Sequence, residues 1–326
     1  MKPSYLTLHK SGELEQRAAA LEARLESCDI CPRNCRVNRL KGETGFCHSG
    51  NLPIVSSFCA HHGEEPVLSG TQGSGTIFFG NCNMACVYCQ NFQISQDWRR
   101  QKAFEVSCET LAERMLYLQD KLGCHNINLV SPSHFVPQIV RALTIAIPEG
   151  LHIPLVYNTG GYDSLDTIKA LDGIVDIYLP DLRYASDEDA REYSGAPTYV
   201  SNARSSIKEM FRQVGEVVTD GDGIARRGVI VRILILPNEI GGCEESLEFL
   251  AKEVSPDIYL SVMSQYSPQH RAMDFPLLSR KISGAEYARI TAKLNELGME
   301  NGWVQEMTSS DYYLPDFKRE GHPFVR

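Results

Sequence analysis

The chain has 326 residues, 32 Lys+Arg against 41 Asp+Glu, and a formal net charge of −9. With 43% hydrophobic and 22% charged residues it reads as an ordinary globular chain of one or two domains, not a disordered or collagen-like one. The acidic balance argues against wrapping duplex DNA or coating an anionic membrane, so neither nucleic acid nor membrane is an expected partner. The unusual number is 11 cysteines, eight of which crowd into residues 28–89. The first ten residues lack an apolar secretion signal, and no apolar run approaches the ~18 residues of a membrane span. The strongest run, Gly228 to Pro237, contains Arg232. A reduced, cytoplasmic chain is expected, whose clustered cysteines bind metal or do redox chemistry and do not form disulfides.

In chain order, Glu13 to Glu26 predicts an exposed helix rich in Ala, Leu, Glu and Arg. Residues 28–47 follow, with Pro32, Asn34, Gly42 and Gly45 among the cysteines, and suit a metal-ligated loop. Residues 50–73 read as irregular. From Gly75 onward, apolar runs alternate with helical stretches. The predicted strands are Thr76–Phe79, Asn126–Val130, Leu155–Tyr157, Val175–Leu179, Val229–Leu236 and Asp257–Met263. The helices between and after them are Glu109–Leu122, Pro137–Ile147, Ser164–Leu171, segments within 186–214, Glu244–Val254 and Gly284–Leu297. Such alternation implies parallel βαβ units. The predicted fold is α/β, a partial (β/α)6 TIM-like barrel with an N-terminal cysteine-rich extension. The expected division is a helix and metal-binding extension over 1–72, then the barrel with a C-terminal cover over 73–326. In such folds chemistry sits at the carboxyl ends of the strands.

After the first predicted strand comes Gly80-Asn-Cys82-Asn-Met-Ala-Cys86-Val-Tyr-Cys89, a Cys-x3-Cys-x2-Cys spacing. Structural zinc wants four protein ligands. A four-iron cluster held by three thiolates keeps one iron open for a substrate or cofactor. The alternatives are a zinc loop with a fourth ligand elsewhere, or three buried thiols. The motif resembles that of radical S-adenosylmethionine enzymes. The resemblance implies a [4Fe–4S] cluster on Cys82, Cys86 and Cys89, with S-adenosylmethionine on the open iron. It further implies reductive cleavage to methionine and a 5′-deoxyadenosyl radical that abstracts hydrogen from a substrate. Tyr88 takes the place of the family's aromatic residue against the adenine.

The later strand ends resemble those of the glycyl-radical-enzyme activases, the pyruvate formate-lyase-activating-enzyme-like group. The segments are Asn158-Thr159-Gly160-Gly161-Tyr162, Pro180-Asp181-Leu182-Arg183 and Arg232-Ile-Leu234-Ile-Leu-Pro237-Asn238. The resemblance implies that Asn158, Thr159, Asp181, Arg183, Arg232 and Leu234 surround S-adenosylmethionine. Asn158 stands where the activases carry an acid, and Ser131-Pro132-Ser133-His134 replaces the Gly-Gly-Glu common after the second strand. Ser133 and nearby carbonyls are left as candidates for the amino group, or Ser133 merely caps a helix. By the same resemblance the substrate is unidentified and includes a glycyl radical enzyme among its candidates. A peptide or small molecule stays open, and the electron donor is expected to be flavodoxin- or ferredoxin-like. The competing reading is a non-catalytic iron–sulfur electron-transfer or metal-binding protein.

Cys28, Cys31, Cys35 and Cys47 form a second group, Cys-x2-Cys-x3-Cys-x11-Cys. Four thiolates at this density need protons or metal, and either zinc or an iron–sulfur cluster suits them. His48, Cys59 and His61 are further candidate ligands. Of the remaining signals, His61-His62 and Glu64-Glu65 are candidates for a substrate entrance, although adjacent histidines in a polar loop are expected to be solvated. Gln90 and Asn91 are placed to touch a thiolate or the adenine, and Gln265 and Tyr266 to close its pocket. His134 is a candidate acid or base, Cys108, Cys124 and Cys243 are expected to be packed thiols, and Asp311, Tyr312 and Tyr313 are a candidate cover.

Overall fold

The structure, a computed structural model, describes residues 1–307, 314–319 and 322–324. Its strands are β1 (Val55–His61), β2 (Ser74–Phe79), β3 (Ile127–Val130), β4 (Leu155–Thr159), β5 (Ile177–Pro180), β6 (Val218–Thr219), β7 (Ala225–Leu234), β8 (Tyr259–Met263) and β9 (Gly302–Val304). They form a curved sheet in the order β1-β2-β3-β4-β5-β7-β8-β9, with β6 attached to β7. Pairing from β2 to β9 along this path is parallel, and β1 runs antiparallel to β2. This is a partial TIM-like barrel, and its six inner strands are the six apolar runs. Every residue of β2, β3, β4 and β5 is buried, as strands covered on both faces require.

Helices cross between these strands at Cys108–Asp120, Val136–Ala146, Leu165–Ala170, Tyr199–Val214 and Cys243–Glu253. Their starts follow from local chemistry. Ser107 accepts from the Thr110 amide, and Ser283 with Glu286 forms a capping box at Gly284–Leu297. Each cap is worth about 1 kcal/mol.

The amino-terminal residues differ from expectation. A helix at Tyr5–Ser11 precedes the one at Glu13–Ala23, and the latter buries Leu14, Ala18 and Leu21. It packs on Val136–Ala146, where Arg141 grips Glu22 through Nε–Oε1 at 2.9 Å and Nη2–Oε2 at 2.7 Å. Tyr5 donates from its hydroxyl to the Ile153 carbonyl at 2.7 Å. Residues 50–73 are not irregular. They hold β1 and the turn of helix Pro66–Ser69, which a short-window apolar pattern does not reveal because the burial along β1 is uneven. Leu68 from that turn is fully buried against Val156, Ile177, Leu179, Ala225 and Ile230. It plugs the lumen near the strand starts and leaves the carboxyl ends open.

Candidate active site

The cysteine loop leaves β2 through Asn81, at φ 64°, and runs to a helical turn at Phe92–Ser95. It is held at several points by the last turn of the helix Asp187–Ser194. The Ala85 and Val87 amides donate to the carbonyls of Ser194 and Tyr193, both at 2.9 Å. The Ser194 hydroxyl donates to Cys86 Sγ at 3.0 Å, and Cys89 Sγ lies 3.2 Å from Ser95 Oγ. The Met84 amide donates to Cys82 Sγ at 3.4 Å. Burial, followed by the neighbouring Cys86 sulfur, pushes the Cys82 thiol up to about 12 and Cys89 to about 11. Such thiols ionise when a bound cation compensates them.

All three cysteines line a cavity of about 730 Å³, within the range of a cofactor site. The sequence candidates Tyr88, Ser133, Asn158, Thr159, Asp181, Arg183, Arg232 and Leu234 line it as well, as do Gln90, Asn91, Gln265 and Tyr266. The barrel brings them together because each stands at or just beyond a strand end. The Tyr88 hydroxyl is engaged by Tyr184 at 2.6 Å, which orients its ring toward an edge contact with Tyr266 at 5.9 Å. Gly161, at φ 81°, allows the Asp181 carbonyl to approach, since a Cβ there would stand 2.2 Å from that oxygen. The hydroxyls of Ser133 and Thr159 lie 3.0 Å apart, and Thr159 donates to buried Asp163 at 2.6 Å. Burial raises Asp163 above the usual carboxylate range. Arg183 pairs with Asp181, and its buried Nε has no partner among the described residues.

The largest surprise is a charged group deeper in the lumen. Arg232 donates from Nε and Nη2 to Glu65 at 2.6 and 2.7 Å, from Nη2 to Glu64, and from Nη1 to Asn158 at 3.2 Å. The sequence offers Glu64 and Glu65 as candidates for a substrate entrance, in a segment that reads as irregular. Their side chains are only 8% and 5% exposed, and both line the cavity. Glu64 is raised by burial against the pull of Arg232; in Glu65 burial acts the same way, but the bidentate guanidinium wins and holds the carboxyl low. His61 is likewise buried, stacked on Phe324 at 4.0 Å. The only sequence signal for this group was two carboxylates in a row. Its partner stands 167 positions away from Glu65, and local pattern carries no information on that distance.

His134 is not in this cavity. It is fully buried, with Nε2 3.0 Å from the Gly80 carbonyl, and lines a separate small cavity with Cys28, Cys31, Cys35 and Cys47. The further candidate ligands of that second group do not reach it. Cys59 packs with Phe78, Ile94 and Val130, His48 stacks on Trp98 at 4.6 Å, and His61 lines the larger cavity. Cys124 and Cys243 are buried in the main apolar cluster, with Cys108 packed at its edge. Asp311, Tyr312 and Tyr313 lie outside the described residues.

The profile of the Radical SAM superfamily matches residues 76–250, which span β2, the three-cysteine loop and the strand ends just described. The chain belongs to this superfamily. It is therefore a radical S-adenosylmethionine enzyme in general class, with the iron–sulfur and S-adenosylmethionine chemistry typical of that family. Two proteins of Methanocaldococcus jannaschii are similar to it. The uncharacterized protein MJ0674 is 29% identical over 269 residues, covering 80% of this chain and 72% of its own. The uncharacterized protein MJ0808 is 22% identical over 270 residues, covering 76% and 73%. Among solved structures, "Structure of TYW1 with a lysine-pyruvate adduct bound" aligns with TM-score 0.42 and 12% identity, covering 72% of this chain and 77% of that one. No helix among the described residues is long and apolar enough to cross a membrane.

Proposed function

We propose that the chain uses a [4Fe–4S] cluster on Cys82, Cys86 and Cys89 to cleave S-adenosylmethionine and abstract hydrogen from a substrate. The observation that carries this is the convergence of three buried thiols and the strand-end residues on one cavity of about 730 Å³. When bound, the cluster and S-adenosylmethionine supply a 5′-deoxyadenosyl radical by one-electron cleavage of the sulfonium bond. The donor set fits: soft thiolates for iron, an aromatic face at Tyr88, and a polar rim at Asn158, Asp181 and Arg183. Arg183 Nε, buried and without a protein partner, is free to donate to a carboxylate or ribose oxygen. A flavodoxin- or ferredoxin-like donor is the reductant that such chemistry needs.

The missing Gly-Gly-Glu is answered from another direction. Ser133 is committed to Thr159, and His134 faces away. Glu64 shares Arg232 with Glu65, so this trio carries one surplus negative charge. We assign Glu64 as the acceptor for the cationic amino group. The test of the overall reading is anaerobic reconstitution, reduction and measurement of 5′-deoxyadenosine. A four-iron cluster without that product would overturn it.

The activase-like strand ends at Asp181-Leu182-Arg183 and Asn158-Thr159 support a backbone glycine of a partner protein as the hydrogen donor. Stimulation of 5′-deoxyadenosine formation by the fraction of a cell extract retained on dialysis agrees with a protein substrate. Stimulation by the diffusible fraction alone would replace it with a small molecule.

A further inference from the structure

Outside the catalytic cavity, Cys28, Cys31, Cys35 and Cys47 line a second cavity of about 10 Å³. Cys28, Cys31 and Cys47 are each 8% exposed, and none of the four is in a disulfide. The backbone is bent to gather them. The Cys28 amide donates to the Val37 carbonyl and the Arg36 amide to the Cys28 carbonyl, both at 2.9 Å, while Asn34 and Arg36 adopt positive φ. Gly45 completes the cradle: a Cβ there would lie 2.6 Å from Cys35 Sγ, so a larger residue would displace that sulfur.

The charges of the wall do not balance if these thiols stay protonated. Arg39 is 1% exposed, and among the described residues it donates to the carbonyls of Gly50 and His134 alone. Arg33 donates from Nε to the Asn83 carbonyl at 2.8 Å, and its buried Nη2 has no partner. Neither guanidinium has a carboxylate at salt-bridge distance among the described residues, and both line this cavity. A buried cation without counter-charge, as Arg39 is, is costly, and half-buried Arg33 brings its buried Nη2 to the same wall. Four thiolates around a doubly positive metal core would leave two net negative charges, which two guanidiniums balance. His134 adds a second orphan. It is 1% exposed, its Nδ1 has no partner, and it lines the same cavity.

The kind of centre follows from the spacing. Zinc draws four sulfurs to about 2.3 Å from itself, which leaves no room among them. Here the sulfurs surround space for roughly one water-sized body. Among the described residues no three His, Cys, Asp or Glu side chains converge on a single ion-sized point. The same holds at Cys82, Cys86 and Cys89, where the superfamily carries a cluster. We infer that Cys28, Cys31, Cys35 and Cys47 hold an iron–sulfur cluster of their own, with four thiolate ligands and no open iron. Its loop also braces the catalytic one, because Arg33 holds the Asn83 carbonyl between Cys82 and Cys86.

The test is a chain with Cys82, Cys86 and Cys89 all changed to Ala, reconstituted anaerobically with iron and sulfide and assayed for iron, acid-labile sulfide and zinc. Iron and sulfide in equal amounts, with a charge-transfer absorption lost on adding Cys31→Ser, are expected. Zinc in place of iron, or no metal on a chain that melts cooperatively, would overturn the inference. Should the triple variant fail to fold, the wild type and its Cys31→Ser variant decide. A fall in iron to about half is expected, and unchanged iron refutes the second cluster. These counts do not depend on S-adenosylmethionine cleavage, so they fail or succeed separately from the proposed activity.

Discussion

The two cysteine centres are close in sequence and opposite in construction. Cys82, Cys86 and Cys89 sit at the wall of a cavity of about 730 Å³, with Arg183 and Arg232 already paired to carboxylates. Cys28, Cys31, Cys35 and Cys47 line about 10 Å³, with Arg33 and Arg39 lacking such partners among the described residues. Three ligands beside open space suit a centre that must admit a cofactor. Four ligands around a much smaller space, beside guanidiniums that have no carboxylate partner among the described residues, suit a centre that need not admit a cofactor. The lesson is that ligand count, free volume and the charge of the wall vary together, and each supports the reading of the others.

The comparison breaks most sharply at Cys86→Ala. This change should reduce 5′-deoxyadenosine formation to background, read by chromatography of the quenched reaction, while leaving metal at the four-cysteine centre. Retention of activity would mean that the open cavity is not where chemistry occurs.

Next is the charged group beneath Cys82, Cys86 and Cys89. Glu65→Ala leaves Arg232 buried with one carboxylate and one amide, and should cost about 3 kcal/mol in urea unfolding, the low end for breaking a buried pair. Glu64→Gln should be milder in stability, because Glu65 keeps its bidentate grip. If Glu64 receives the amino group, KM for S-adenosylmethionine should rise about tenfold, equivalent to ~1.4 kcal/mol, with kcat less affected. An unchanged KM would remove Glu64 from that role.

A pH effect distinguishes this cavity as well. Burial, then the neighbouring His322 and Arg232, pull His61 down to about 4. Its unfolded value is near 6.5, so between those values the unfolded chain binds the extra proton. The stability from a neutral His61 is therefore complete above about pH 6.5 and is lost as pH falls toward 4. At about 1.4 kcal/mol per unit the loss approaches about 3 kcal/mol. Denaturant midpoints at two pH values should show this slope in the wild type and a shallower one in His61→Phe.

The smallest expected effect tests the contact between the centres. Arg33→Lys loses the fixed Nε bond to Asn83 and the stacking on Phe46, seen at 3.5 Å, and should cost about 1–2 kcal/mol. If the four-cysteine loop braces the catalytic one, 5′-deoxyadenosine formation should also fall several-fold. Normal activity at lowered stability would make the two centres independent.

Much of this was legible locally. Strands buried on both faces appear as continuous apolar runs, and thiols that share a cluster from one short loop must be close in sequence. The alternation of the runs placed Asn158 and Asp181 just past strand ends, whereas Arg232, inside its strand, was indicated by the resemblance. β1 was not legible, because its burial is uneven and its pairing with β2 is made across a turn of charged and small residues. Glu64 and Glu65 were legible only as candidates for an entrance: a carboxylate pair is polar wherever it stands, and burial against Arg232 is a fact about the closed barrel.

The amino-acid sequence alone therefore determined the class of fold, the three-cysteine motif and the existence of a second cysteine group, because each rests on neighbours within a few residues. The tertiary structure decided the rest. It put Glu64 and Glu65 in the lumen and took His134 away from the larger cavity. It also set Arg33 and Arg39 beside the four cysteines without a carboxylate. These are questions of which distant side chains share a low-dielectric space, and only the closure of the sheet answers them.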